Sequence, residues 1–399
     1  MKQLILLSII CLTTVQAFAQ DTIVTMTTAN DSIYIQIKWT GSGSLFANGV
    51  ELKNDSTLNV IPAVDSSVAL IATGSVQLTH LWCEYNSLSA LDVTNCTELT
   101  ELNCSNNALS ALDVTKCTEL VILNCSNNSQ FSLSVNNHLG LSSMSFYSEN
   151  SLSALDLTNC TKLTNLNCHS NSISALDVTN CPMLTYLNFH SNSLSTLDIT
   201  KCMELTRLDC SYNSLSALDV TKCTELTYLK CMFNSLTVLD VTNCPKLTSL
   251  NCESNTLSAL DVSNCPELMY LFCGNNSLTV LDITKCPKLT NLFCDNNSLM
   301  ALDITNCAGL ECLYGHEQAL MLPMTKPSGA KLSIKNPISL FTETSIENIS
   351  HNGKCTGNGI TWTVSGESGE VTFNFTAKLP DGIDGSPLSG RATQPWITK

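Results

Sequence analysis

The side chains best suited to chemistry in this sequence are cysteine, aspartate and histidine, and their spacing is regular. Of the 22 cysteines, one set falls at Cys83, Cys104, Cys125, Cys168, Cys210, Cys231, Cys252, Cys273 and Cys294. A second set falls at Cys96, Cys117, Cys160, Cys181, Cys202, Cys223, Cys244, Cys265, Cys286 and Cys307. So many thiols would ordinarily suggest disulfides, or else metal ligation. No CxxC motif occurs, however, and Phe146 and Phe189 replace cysteine in the first set. The position therefore accepts any hydrophobe of suitable size, and packed free thiols are the expected state. Disulfides stay open as the alternative, because equivalent Cα atoms one strand spacing apart, about 4.8 Å, lie within bridging range.

Aspartate recurs at Asp92, Asp113, Asp156, Asp177, Asp198, Asp219, Asp240, Asp261, Asp282 and Asp303. Carboxylates stacked about 5 Å apart repel by roughly 1 kcal/mol or more, so something must compensate. An Asp followed by Val-Thr, as at 113–115, can accept backbone N–H bonds two or three residues on, and Lys116, Lys201, Lys222 and Lys285 lie close by. A row of Ca²⁺ sites is the alternative, but the glycine-rich unit of calcium β-rolls is missing. His169 and His190 stand one repeat apart, an incomplete ligand set, and no metal or cofactor is expected. No Ser-His-Asp set, paired-carboxylate pocket, phosphate loop or zinc signature stands out, so no catalytic residue is assigned and the chain is expected to be non-enzymatic.

These residues are placed by a repeat. Asparagine marks it at Asn86, Asn107, Asn128, Asn150, Asn171, Asn192, Asn213, Asn234, Asn255, Asn276 and Asn297, every interval being 21 residues except the 22 between Asn128 and Asn150. A fixed period of this size means stacked coils. Within a copy such as 99–119, Leu102, Asn103 and Cys104 alternate as a short strand does, and Leu112, Asp113 and Val114 give a second extended piece. Leu99, Leu102, Cys104, Leu109, Leu112, Val114 and Cys117 then point inward, and only stacking covers them. The repeated Asn is expected to be structural, its amide bonding backbone groups of its own coil and the next.

The motif L-x-x-L-x-C-x-x-N-x-L resembles the leucine-rich-repeat consensus in a short bacterial form, like that of internalin-type surface and secreted proteins, over residues 78–320. The resemblance implies a β-rich leucine-rich-repeat solenoid, right-handed and curved with a parallel concave sheet, and a recognition role without a named ligand. Twenty-one residues leave little room for a convex α-helix, so strand or 3₁₀ is expected there.

Between Asn128 and Asn150 the signature fades: Ser134 replaces Asp, His138 replaces the convex Cys, and the extra residue falls within 147–149. A local bulge is expected there, from repeat drift or as a ligand contact. The outward strand positions vary most. One column runs His80, Glu101, Ile122, Ser143, Asn165, Tyr186, Arg207, Tyr228, Ser249, Tyr270 and Asn291; the next runs Trp82, Asn103, Asn124, Ser145, Asn167, Asn188, Asp209, Lys230, Asn251, Phe272, Phe293 and Tyr314. Tyr186, Arg207, Tyr228, Lys230, Tyr270, Phe272, Phe293 and Tyr314 are the expected partner-binding residues, forming one strip with Tyr212 and Phe233 at its edge.

The ends read differently. Residues 1–19 combine Lys2, an apolar run and Ala17-Phe18-Ala19, the pattern of a secretory signal peptide. Removing it takes formal charge from −15 to −16, which disfavours nucleic acid and anionic membranes. Residues 20–77 read as a β-rich N-terminal cap, with SIYIQIKW at 32–39 and a first convex strand near 68–72. Residues 321–399 read as a β-sandwich-like module, with a hairpin of 360–364 and 370–375. No segment after the leader is long and apolar enough to span a bilayer. The sequence thus points to an exported monomer, secreted, surface-bound or periplasmic, that binds a protein or glycan; a structural or adhesive spacer is the alternative.

Overall fold

In-register stacking of equal coils fixes the architecture. A computed structural model describes residues 21–129, 133, 135, 138–147, 152–299, 302 and 306–315, and beyond these the backbone strands Gln318–Met321, Lys331–Lys335, Thr344–Glu347, Lys354–Thr356, Gly359–Thr363, Ser368–Ala377 and Ser389–Ile397. The leader, Ser134, the insertion after Tyr147, Asn150 and Asp303 lie outside the described residues. The chain divides into two units at Ser193 and Leu194. Both contain stacked repeat coils, and no helix occurs among the described residues, hence none long and apolar enough to cross a membrane.

In the N-terminal unit the strands Gln77–Trp82, Glu101–Asn103, Ile122–Asn124, Ser143–Ser145, Asn165–Asn167 and Tyr186–Asn188 pair in parallel, each with the next. Leu102 pairs with Leu123, so both turn to the same buried side. Ser143 pairs with Asn165, 22 residues on, so the extra residue is absorbed outside the strands and the register is kept. Leu133, Val135, Leu141 and Met144 stay buried through this coil. His138 fills the thiol position and donates through Nε2 to the Val114 carbonyl at 2.9 Å, much as Cys117 Sγ donates to Val93 at 3.4 Å.

Ser32–Thr40 pairs antiparallel with Gln77–Trp82, and Asp21–Thr28 pairs antiparallel with Leu88–Asp92. The second pairing differs from the expectation at 68–72: Ser67–Ala72 is one strand removed, on the far side of Asp21–Thr28. Alternating Val24 and Met26, buried to 1%, give Asp21–Thr28 the apolar face that covers the first coil. Asn86 clamps this end, accepting the Tyr34 N–H and donating to the Tyr34 carbonyl, both at 2.7 Å.

In the C-terminal unit Arg207–Asp209, Tyr228–Lys230, Ser249–Asn251, Tyr270–Phe272, Asn291–Phe293 and Cys312–Tyr314 pair in parallel in chain order. Beyond them the expected hairpin does not form. Gly359–Thr363 pairs with Lys331–Lys335 and Lys354–Thr356, whereas Ser368–Ala377 pairs with Thr344–Glu347 and Ser389–Ile397 in another sheet. The nine-pair ladder between Ser368–Ala377 and Ser389–Ile397 satisfies more backbone than a hairpin of two short strands would.

The convex side is neither helix nor continuous strand. Each coil turns there through two successive i to i+3 bonds, as in Cys223 N–H to Val220 O at 2.9 Å and Leu226 N–H to Cys223 O at 3.1 Å. Among the described residues, regular pairing on this side is limited to Leu88–Asp92 with Asp21–Thr28, Ala154–Leu155 with Ala175–Leu176 and a bridge between Asp261 and Asp282.

The asparagine column closes each coil. Asn255 Oδ1 accepts the Leu236 N–H at 3.0 Å, and Nδ2 donates to the carbonyls of Cys231, Cys252 and Glu253 at 3.0 to 3.2 Å. Its partners lie in its own coil and the preceding one, not the following one. The amide is aimed inward by a left-handed residue just before it, φ 54° at Ser254. Both thiol columns are buried, and their described members are not joined by disulfides. Burial pushes Cys104 and Cys252 up to about 12 and Cys223 and Cys286 up to about 11.

Asn255→Ala should cost roughly 2–4 kcal/mol in urea denaturation, since it strands a buried N–H and removes a donor from three carbonyls; a loss near zero would show that the amide column is dispensable. The thiols give a second expectation. Neutral in the fold and ionisable once unfolded, they should lower stability as pH rises through 9.0, their unperturbed value. In the native state they should ignore a thiol reagent at mildly alkaline pH and react in full in denaturant without reductant, whereas few reactive thiols would mean disulfides.

Candidate binding surface

The pleat turns every second strand side chain away from the core, and parallel register stacks those side chains in columns. Glu101, Ile122, Ser143, Asn165 and Tyr186 lie in one column of the N-terminal unit, beside Asn103, Asn124, Ser145, Asn167 and Asn188. Arg207, Tyr228, Ser249, Tyr270 and Asn291 continue the first pattern in the C-terminal unit, joined by Cys312, and Asp209, Lys230, Asn251, Phe272, Phe293 and Tyr314 form the second. Of the eight residues singled out in sequence, Tyr186 belongs to the N-terminal unit and the other seven to the C-terminal unit. Tyr186 is half-buried, and its hydroxyl accepts from Asn188 Nδ2 at 3.4 Å.

The seven do not make one unbroken strip. The small rung Ser249–Asn251 separates two clusters. In the first, the Arg207 guanidinium lies 5.2 Å and the Lys230 ammonium 5.4 Å from the Tyr228 ring centroid. The hydrogen bond to Tyr228 raises the Lys230 pKa against the opposing effect of burial, with Asp209 adding to the rise, so the side chain keeps its charge. In the second, Phe272 stacks on Phe293 and Phe293 on Tyr314, each at 4.7 Å between centroids, with Tyr270 exposed at 41% on the same rung as Phe272.

Sequence reasoning put Tyr212 and Phe233 merely at the edge. The structure stacks them at 4.5 Å with both backbones left-handed, φ 52°. That conformation costs a bulky L-residue about 1–2 kcal/mol. Apart from Tyr85, the equivalent described positions elsewhere hold Asn106, Asn127, Ser170, Ser191, Ser254, Asn275 and Asn296, short polar residues; an aromatic residue immediately before the repeated Asn was the available signal. A further cluster went unread: Trp82 meets His80 at 5.2 Å and Lys38 at 5.5 Å, and His80 pairs with Glu101 at 3.5 Å. Lys38 comes from the antiparallel strand Ser32–Thr40, which has no counterpart in the repeat pattern. Burial lowers the His80 pKa, with Glu101 working the other way.

Tyr147, His169 and His190 form a parallel stack in the N-terminal unit, at 4.7 and 4.4 Å. Each imidazole Nδ1 meets the hydroxyl of the following serine, Ser170 at 3.0 Å and Ser191 at 2.9 Å. Stacked faces do not converge lone pairs on an ion, and no group of three His, Cys, Asp or Glu side chains suited to a metal occurs among the described residues. The aspartates are likewise occupied: Asp219 Oδ1 accepts the Thr221 N–H at 2.9 Å and its hydroxyl at 2.6 Å, and the same pair recurs at Asp92, Asp113, Asp198, Asp240 and Asp282. These bonds lower the pKa of each.

Comparison with known proteins agrees with this geometry. The LRR-adjacent family model matches residues 345–397. The functional domain of InlJ from Listeria monocytogenes, described as including a cysteine ladder, is 30% identical with a TM-score of 0.58, over 80% of this chain and 81% of that one. A leucine-rich-repeat protein of Leptospira interrogans is 25% identical with a TM-score of 0.54, over 60% and 66%. The internalin InlF of Listeria monocytogenes, at 22% identity and TM-score 0.54 over 61% and 75%, shares the fold. No curated protein matches the chain.

The aspartate bonds predict an acid limit. Each folded pKa lies below its ordinary 3.8, so the stabilisation is present above that pH and is lost as pH falls through the lowered values. The unfolding midpoint should fall steeply below about pH 4 and should not respond to a calcium chelator at neutral pH. A chelator-induced drop would instead assign the column to Ca²⁺.

Proposed function

Because the chain belongs to the internalin-like leucine-rich-repeat proteins, we propose that it is an exported, non-enzymatic recognition protein that captures a protein or glycan on the outward face of its parallel sheet. The observation that carries this reading is the pair of clusters in the C-terminal unit. Arg207, Tyr228, Lys230, Tyr270, Phe272, Phe293 and Tyr314 stand on a rigid parallel sheet, where other rungs carry Asn and Ser. Aromatic and Arg side chains supply large contact area for little lost freedom, which is why interfaces use them as anchors. Flat rings also suit the apolar face of a sugar.

A monomeric, secreted or surface-held protein fits the leader at residues 1–19 and the acidic balance of the chain. A spacer or adhesive role is the second reading. The N-terminal unit favours it, since one outward column there is Asn103, Asn124, Ser145, Asn167 and Asn188, small polar residues with little to anchor a partner.

Replacing Tyr228, Tyr270 and Phe272 together with Ala should abolish capture of the native partner in pull-downs while leaving the unfolding midpoint within a few degrees of the parent. Undiminished capture by the triple variant would remove the recognition reading.

A further inference from the structure

Two neighbouring coils, residues 207–212 and 228–233, combine three features found together nowhere else among the described residues. First, Tyr212 and Phe233 are left-handed where the other coils use Asn or Ser at all described positions except Tyr85. Coil closure does not require the rings, because Asn and Ser close the same turn. Burial does not require them either, since Tyr212 is 48% and Phe233 42% exposed. Strain retained without a folding gain points to use.

Second, the same coils carry two fixed cations on a chain of net charge −15. Arg207 is one of only two arginines in the sequence, and it shares the Tyr228 ring with Lys230. Third, neither cation makes an ion pair with a carboxylate among the described residues. The ion pairs among the described residues are His80 with Glu101, Lys246 with Glu225 and Lys288 with Glu267. Asp209 stands opposite Lys230 in register and favours its charge without forming an ion pair, and its Oδ1 accepts the Ser211 N–H at 3.1 Å.

We propose that these two coils form a subsite for an extended peptide segment of a protein partner, one carboxylate held between Arg207 and Lys230 and a flat apolar side chain resting on the Tyr212 and Phe233 rings. This rests on the recognition reading and names its partner class. The spacing selects a peptide. Lys230 and Phe233 are three residues apart, up to about 10 Å along an extended chain, and an extended peptide offers side chains two or three residues apart over a similar span. A uronic acid carries its carboxylate on the very ring that would stack, too close to reach both features at once. The surrounding negative charge repels a polyacidic run, so the segment carries one or two carboxylates among apolar residues.

The test uses the full chain and fluorescent peptides of about eight residues, with Glu two positions before Trp. Matched peptides replace Glu with Gln or Trp with Ser, and a uronic-acid oligosaccharide serves as the competing class. The Glu/Trp peptide should bind about tenfold tighter than either match, as a charge-assisted contact allows, and the preference for Glu should weaken with salt. Arg207→Gln with Lys230→Gln should erase the preference for Glu. Tyr212→Asn with Phe233→Asn should erase the preference for Trp and raise the unfolding temperature, because left-handed strain is relieved. Equal affinity for all peptides, oligosaccharide binding through these residues, or a lower unfolding temperature in the Asn variant would each overturn the proposal. Native-partner capture lost in the Tyr228, Tyr270 and Phe272 variant but kept in the Arg207 and Lys230 variant would sink this subsite alone; capture unaffected in both would sink the recognition reading with it.

Discussion

The parallel pairing of each residue with its equivalent one coil later is the constraint from which the rest follows. Backbone groups of a strand only three residues long, such as Tyr228–Lys230, are satisfied by the coil on either side, so no coil is stable alone. The pairing tolerates no slip, because a one-residue shift would send the leucines to solvent and the polar residues inward. That is why the single 22-residue interval leaves the pairing of Met144 with Leu166 intact and places its extra residue elsewhere.

Stacking in phase also multiplies every chemical choice. Whatever residue a coil carries meets its own kind about 4.8 Å away, and like groups must be made compatible. Asparagine manages this by bonding only backbone, in its own coil and the one before. Aspartate turns its Oδ1 to the Thr two residues on, so each carboxylate is satisfied within its own coil. A second threonine column behaves similarly, Thr227 and Thr248 donating to the carbonyls of Thr206 and Thr227 at 3.0 and 2.9 Å. Cysteine is neutral, small and weakly donating, so it packs in a column as a hydrophobe does. Burial that raises the thiol pKa also keeps the nucleophilic thiolate scarce.

The outward face is where this repetition is relaxed. A residue there needs only to tolerate a pleated, half-exposed site, so Arg, Lys, Tyr and Phe can replace Asn and Ser without disturbing coil closure. Because the sheet beneath is rigid, those side chains are pre-positioned, and the ordering cost that weakens most interfaces is reduced. The two clusters of the C-terminal unit, one cationic on Tyr228 and one a stack ending at Tyr314, present different chemistry to a partner within a few coils.

The sequence by itself determined the coil: its period, the inward set from Leu99 to Cys117, the lack of room for a helix, and the columns containing Tyr228 and Phe272. These are local or strictly periodic properties, and one copy read eleven times leaves little ambiguity. Contacts between segments without the repeat belonged to the tertiary structure. Asp21–Thr28 comes between Ser67–Ala72 and the first convex strand, Lys38 reaches Trp82 from an antiparallel strand, and 360–364 pairs away from 370–375, because strand partners far apart in sequence compete by ladder length and burial that no local pattern records. Backbone sign was hidden too: Tyr212 and Phe233 look like ordinary aromatic residues until the turn that aims the asparagine inward forces them left-handed.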